Sequence, residues 1–144
     1  MRNENWNYVV RRVRNKPLFL KGDGVSSAFY KDSKGVSVSK DCDRGRERII
    51  EDEERIHQLF HPEGAEIDNT YKLIGIVSID KLNIESNNVE IVDQPEEYNP
   101  FHAVLCRNQN TIRLSSAQAK ALARQSVFIK RYRIFIFTWQ TLGK

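Results

Sequence analysis

Cysteine occurs only twice in the 144 residues, as Cys42 and Cys106, far apart and at no recognised metal-ligand spacing. Two lone thiols exclude a disulfide scaffold and fit a reducing compartment, so a cytoplasmic location is expected. Long apolar runs are also missing. No stretch reaches the roughly 18–20 residues that a membrane-spanning helix needs, and no membrane partner is expected. The opening residues, Met1 to Trp6, lack the apolar core of a signal peptide. There is no glycine-rich phosphate loop, no Gly-x-Ser-x-Gly elbow, no His-Glu-x-x-His, no internal repeat and no aromatic RNA-binding signature. His57 and His61 stand at i and i+4, a spacing that can hold a metal from a helix, but no third ligand follows in a recognisable pattern. Neither a metal nor a cofactor is expected.

What is present reads as an ordinary globular chain, with 40% hydrophobic and 29% charged residues. The length suits one domain over residues 1–144, with enough chain to bury a core without staples. Charge is unevenly spread. Residues 1–40 carry nine Lys/Arg against three Asp/Glu, residues 41–106 carry sixteen acids against six bases, and residues 107–144 carry eight bases and no acid. Either the basic ends dock on the acidic middle, or they pool into one positive face for an anionic partner.

The run Tyr8 to Val13 is β-like, with Arg11 on the face of Val9 and Val13, and Arg12 on the face of Val10. Between Gly24 and Asp41 the pattern predicts a hairpin: Phe29 and Tyr30 in one strand, Val36 and Val38 in the other, and turn chemistry at Asp32 to Gly35. In its second strand Ser37 and Ser39 point away from the two valines. A helix is expected after Asp43 as N-cap, with an apolar stripe of Ile49, Ile56 and Phe60 widened by Ile50 and Leu59. Its acidic run Glu51 to Glu54 reads as the solvated face, and His61-Pro62 ends it.

Tyr71 to Ile79 is nearly continuous in apolar character, as a strand covered on both faces would be. Asp80 can cap a single helical turn, Val89 to Val92 reads as a short strand, and Phe101 to Cys106 as another that places His102, Val104 and Cys106 on one side. Ser115 or Ser116 caps an alanine-rich helix, and Ser126 to Trp139 is β-rich. This order of elements predicts a small single-domain α+β fold, a mainly antiparallel sheet with two helices.

Arg11, Arg12, Arg113, Lys130, Arg131 and Arg133 are the candidate anion contacts, because the guanidinium fork matches carboxylate and phosphate. The leading expectation is a small binding or regulatory protein that meets nucleic acid, a nucleotide or an acidic protein surface through these ends. The candidates for chemistry are His102, Ser37 and Arg11. Arginine at Arg11 or Arg12 on an early strand, the hydroxyl-bearing strand at Ser37, and His102 later on resemble the layout of ADP-ribosyltransferase-like domains. That resemblance implies an enzyme acting on a nucleotide, although no glutamate matches the family's catalytic place. A third expectation is a structural subunit or homo-oligomer that assembles through its aromatic C-terminal strand.

Overall fold

A computed structural model of the chain describes residues 5–62 and 69–132. In chain order its elements are β1 (Tyr8–Arg14), β2 (Leu20–Lys21), β3 (Gly24–Val25), β4 (Val36–Lys40), α1 (Arg46–Phe60), β5 (Leu73–Asp80), α2 (Lys81–Ser86), β6 (Glu90–Asp93), β7 (His102–Cys106), α3 (Ser116–Gln125) and β8 (Val127–Arg131). Six strands form one antiparallel sheet in the order β6-β7-β4-β1-β5-β8, and β2 and β3 form a separate small ribbon. The fold is a small single-domain α+β arrangement, as the element order implied. Among the described residues it has three α-helices rather than two, the additional one being the turn that follows Asp80. No helix among the described residues is long and apolar enough to cross a membrane.

The pairing of β1 decides the shape of the sheet. It stays in register with β5 from Tyr8↔Asp80 to Arg14↔Leu73. With β4 it shares only two residue pairs, Val9↔Lys40 and Val10↔Ser39. Past Val10 the two strands part, while β4 continues beside β7 from Ser39↔His102 to Val36↔Leu105. The sheet is therefore forked.

One face of this sheet buries the main core. Val9, Val13, Val36, Val38, Val77, Ala103 and Leu105 pack there against Phe29, Tyr30, Ala119 and Leu122. Of the two serines offered as caps for α3, Ser115 is the cap, and it forms a capping box: Ser115 Oγ accepts from Gln118 N–H at 3.1 Å, and Gln118 Oε1 accepts from Ser115 N–H at 2.9 Å. On the other face a smaller cluster of Val10, Ile49 and Ile76, with Ile50, Ile129 and Tyr8 around it, holds α1 over β1, β5 and β8.

Three local expectations are corrected. Ser27–Tyr30 is a single 3-10 turn, not the first strand of a hairpin. Both aromatic rings go under α3 rather than onto a pleated surface, so tertiary burial overrides β propensity. The turn beyond it is as expected: Asp32 Oδ1 accepts from Lys34 N–H at 2.9 Å, Asp32 C=O accepts from Gly35 N–H at 3.1 Å, and Gly35 has φ +90°. A Cβ at Gly35 would lie 2.4 Å from Val104 Cγ1, so glycine is required twice over.

Asp43 does not cap α1. It follows Cys42 in the left-handed region (φ 64° and 44°), and the helix starts after Gly45 without a side-chain cap. Nor is the whole acidic run solvated, because Glu53 is buried. Counting 3.6 residues per turn puts it between Ile49 and Ile56 on the apolar stripe. The aromatic part of the expected C-terminal strand, with Arg133, lies outside the described residues. Among those described, β8 pairs with β5 alone and ends the sheet.

Candidate functional site

The fork between β1 and β4 opens into a cleft of about 580 Å³, walled on its far side by the C-terminal half of α1 and at one end by the loop between β6 and β7. Its floor follows from the residue pattern of β4. The valines of that strand go to the core, so Ser37 and Ser39 face the α1 side, opposite His102 and Val104 of β7.

Arg11 fills the fork. Where a continuous ladder would use backbone amides, its guanidinium donates to Ser37 C=O at 3.0 Å and Phe29 C=O at 3.1 Å. It also sits 4.6 Å over the Phe29 ring. Its Nε is buried without a hydrogen-bond partner, and no carboxylate among the described residues lies within ion-pair distance of it. Burial lowers its pKa from the ordinary arginine range, with Tyr30 and Asp32 partly offsetting that.

Arg12, one residue on, points to the other face and donates to Glu53 Oε1 at 3.0 Å. The second oxygen of Glu53 accepts from Ser39 Oγ at 2.8 Å, and Ser39 Oγ accepts from Asn99 Nδ2 at 2.9 Å. Burial raises the Glu53 carboxyl pKa, while Arg12 and the Ser39 hydroxyl pull it back. With both oxygens engaged and 1% exposed, Glu53 sits in the cleft wall and holds Arg12 in place.

Ser37 has its side chain at the open floor. Its hydroxyl is hydrogen-bonded to His102 Nε2, and His102 Nδ1 lies 2.8 Å from Gln94 C=O and 3.4 Å from Glu96 Oε1. A carbonyl only accepts, so Nδ1 carries the proton of the neutral ring and Nε2 is bare. The Ser37 hydroxyl therefore donates to His102. The loop that brings up these partners is closed on itself by Glu96 N–H to Asn99 C=O and Asn99 N–H to Glu96 C=O, both 2.9 Å. Tyr98 on the same loop has its pKa raised chiefly by its hydrogen bond to Glu96.

The rim is aromatic. Phe60 and Tyr98 meet edge to face with centroids 5.1 Å apart, and Phe60 is 52% exposed. The His57 and His61 ring centroids lie 5.0 Å apart on the same wall, with His61 stacked on Tyr71 and the Arg14 guanidinium 4.7 Å from the Tyr71 ring centroid. Among the described residues no group of three or more His, Cys, Asp or Glu is placed to hold a metal ion.

The structure thus brings Arg11, Arg12, Ser37 and His102 to one cleft from three separate strands, β1, β4 and β7. The other candidate cations lie elsewhere. Arg131 donates to Asp23 C=O at 3.1 Å, Lys130 sits over the Tyr132 ring, and Arg113 is exposed before α3. Sequence reading missed Glu53, Asn99 and Glu96. Only Glu53 left a signal there, as a carboxylate on an apolar stripe. Compared with protein-family models, with curated proteins and with solved structures, the chain gives no match.

Proposed function

We propose that the protein binds a small phosphate-bearing ligand, a nucleotide, in the cleft between β1 and β4. The observation that carries this reading is Arg11: a half-buried arginine whose Nε is buried and orphaned, with no carboxylate within ion-pair distance among the described residues. A partly desolvated cation is favoured by a nearby anion, and the cleft is where an anion reaches it. Arg12 adds a second guanidinium, oriented by Glu53. The Phe60–Tyr98 corner offers a planar surface for a base, since aromatic stacking accepts any base. A cytoplasmic setting fits the two buried free thiols.

A nucleotide suits these features better than a polyanion on a broad basic surface, because Arg113, Lys130 and Arg131 stand outside the cleft. The ADP-ribosyltransferase-like layout gains a carboxylate beside Arg12 and Ser39, but Glu53 is enclosed with both oxygens engaged. It is therefore the weaker of the two. Calorimetric titration with AMP, ADP, NAD and inorganic phosphate tests the proposal. AMP or ADP is expected to bind, and Arg12→Gln to weaken it by about tenfold or more, the usual value of a charged hydrogen bond. Absence of heat at millimolar nucleotide would remove the reading.

A further inference from the structure

Within this cleft one pair of side chains does more than bind. We propose that Ser37 is a nucleophile activated by His102, and that the substrate is a phosphodiester of a nucleotide, whose monoester product is the nucleotide the cleft binds. The inference rests on the cleft being a nucleotide site, and adds a reaction to it.

Three observations lead there. The Ser37 side chain lies at the solvent-open floor, so a substrate can meet it. Its proton is directed at a bare imidazole nitrogen, because Gln94 C=O at 2.8 Å fixes the other nitrogen as the N–H. Glu96 Oε1, 3.4 Å from that same nitrogen, is placed to stabilise the imidazolium that forms when His102 takes the proton. Gln94 and Glu96 are positioning groups; Ser37 and His102 are the reacting ones.

The anion site sets the electrophile. Arg11 donates to the carbonyl of Ser37 itself, so an anion held by that guanidinium lies next to the serine. Phosphorus is then the nearest electrophilic centre. A phosphomonoester is a poor match for this apparatus, since its loose transition state forms little bond to the nucleophile and gains little from a base. A diester carries one charge instead of two and depends more on its nucleophile.

In the first step the Ser37 Oγ–P bond forms while His102 Nε2 takes the hydroxyl proton. The bond from phosphorus to the leaving oxygen breaks, and that oxygen takes the proton back from Nε2. In the second step water attacks phosphorus, giving its proton to Nε2, and Ser37 Oγ leaves and recovers a proton. The sum is diester plus water to monoester plus alcohol, with Arg11 and Arg12 facing the negative charge on the phosphoryl oxygens.

The full chain incubated with a fluorophosphonate is expected to carry one adduct, mapped to Ser37 by peptide mass, and to release p-nitrophenol from bis(p-nitrophenyl) phosphate. Ser37→Ala should lose the adduct and slow release by about 100-fold or more, and His102→Gln should slow labelling by a similar factor. Nucleotide binding to His102→Gln is measured alongside, as proof that its cleft is intact. A protein that binds nucleotide yet neither labels at Ser37 nor cleaves the diester overturns this inference and leaves the binding reading standing. Release that is unchanged in Ser37→Ala overturns it too. Labelling and cleavage without nucleotide binding would uphold the reactive serine and remove the nucleotide.

Discussion

The face of the sheet that α1 lies across is made of two unlike halves. Over β1, β5 and β8 it presents Val10, Ile76 and Ile129, and Ile49 and Ile50 of α1 close onto them. Over β4 and β7 it presents Ser37, Ser39 and His102; Glu53 of α1 closes over Ser39, while Ser37 stays exposed. The same helix borders both: its apolar stripe rests on the first half, while His57 and Phe60 look across the second. A helix gains from covering apolar surface and loses by desolvating hydroxyls and imidazole, so it settles on one side only. Glu53 marks the boundary, a carboxylate on the stripe at the place where apolar packing gives way to Arg12, Ser39 and Asn99.

Breaking the covered half should have the largest effect. Ile49→Ala removes a fully buried side chain that seats α1, and a loss of about 2–5 kcal/mol is expected in urea unfolding. A loss near zero would mean that α1 is not seated as described.

The opposite face, where Tyr30 is fully buried, answers to pH. Burial pushes the Tyr30 hydroxyl up to about 12, with its Ser126 hydrogen bond and Arg11 working against that rise. A raised folded-state pKa means stability that is whole below the ordinary value of 10.0 and is lost as pH climbs towards about 12. The loss is of order 2 kcal/mol across that window, and Tyr30→Phe should remove this pH dependence. Unfolding midpoints of both proteins between neutral and strongly alkaline pH check it.

The open half should be nearly indifferent to truncation. Ser37→Ala is expected to shift stability by no more than about 0.5 kcal/mol, since the side chain is exposed at the cleft floor. A shift of the size seen for Ile49→Ala would show the Ser37–His102 contact to be structural, and the contrast between the halves would fail.

Much of this contrast could be read along the chain. The alternation of Val36 and Val38 with Ser37 and Ser39 announced a strand with one polar face, and the spacing of Ile49, Ile56 and Phe60 announced the helix beside it. Arg11, Arg12 and His102 stood out because cations and imidazole at the start of strands are chemically conspicuous. Phe29 and Tyr30 misled for a physical reason: aromatic residues favour strands only when a pleated surface is there to receive them, and here a helix receives them instead. Glu96 and Asn99 gave no sign, because an acidic loop rich in proline and asparagine looks the same whether or not it closes on a histidine.

Local pattern alone determined most of the strands, the helices α1 and α3 and the sidedness of β4, since these depend on side-chain spacing within a few residues. Where β1 leaves β4, and hence that a cleft exists at all, was decided only in three dimensions. That parting depends on Arg11 taking the Ser37 and Phe29 carbonyls and on Glu53 drawing Arg12 and Ser39 together, contacts between residues 14 to 41 positions apart. No local preference encodes such contacts, because each becomes favourable only after the elements carrying its two ends have been packed together.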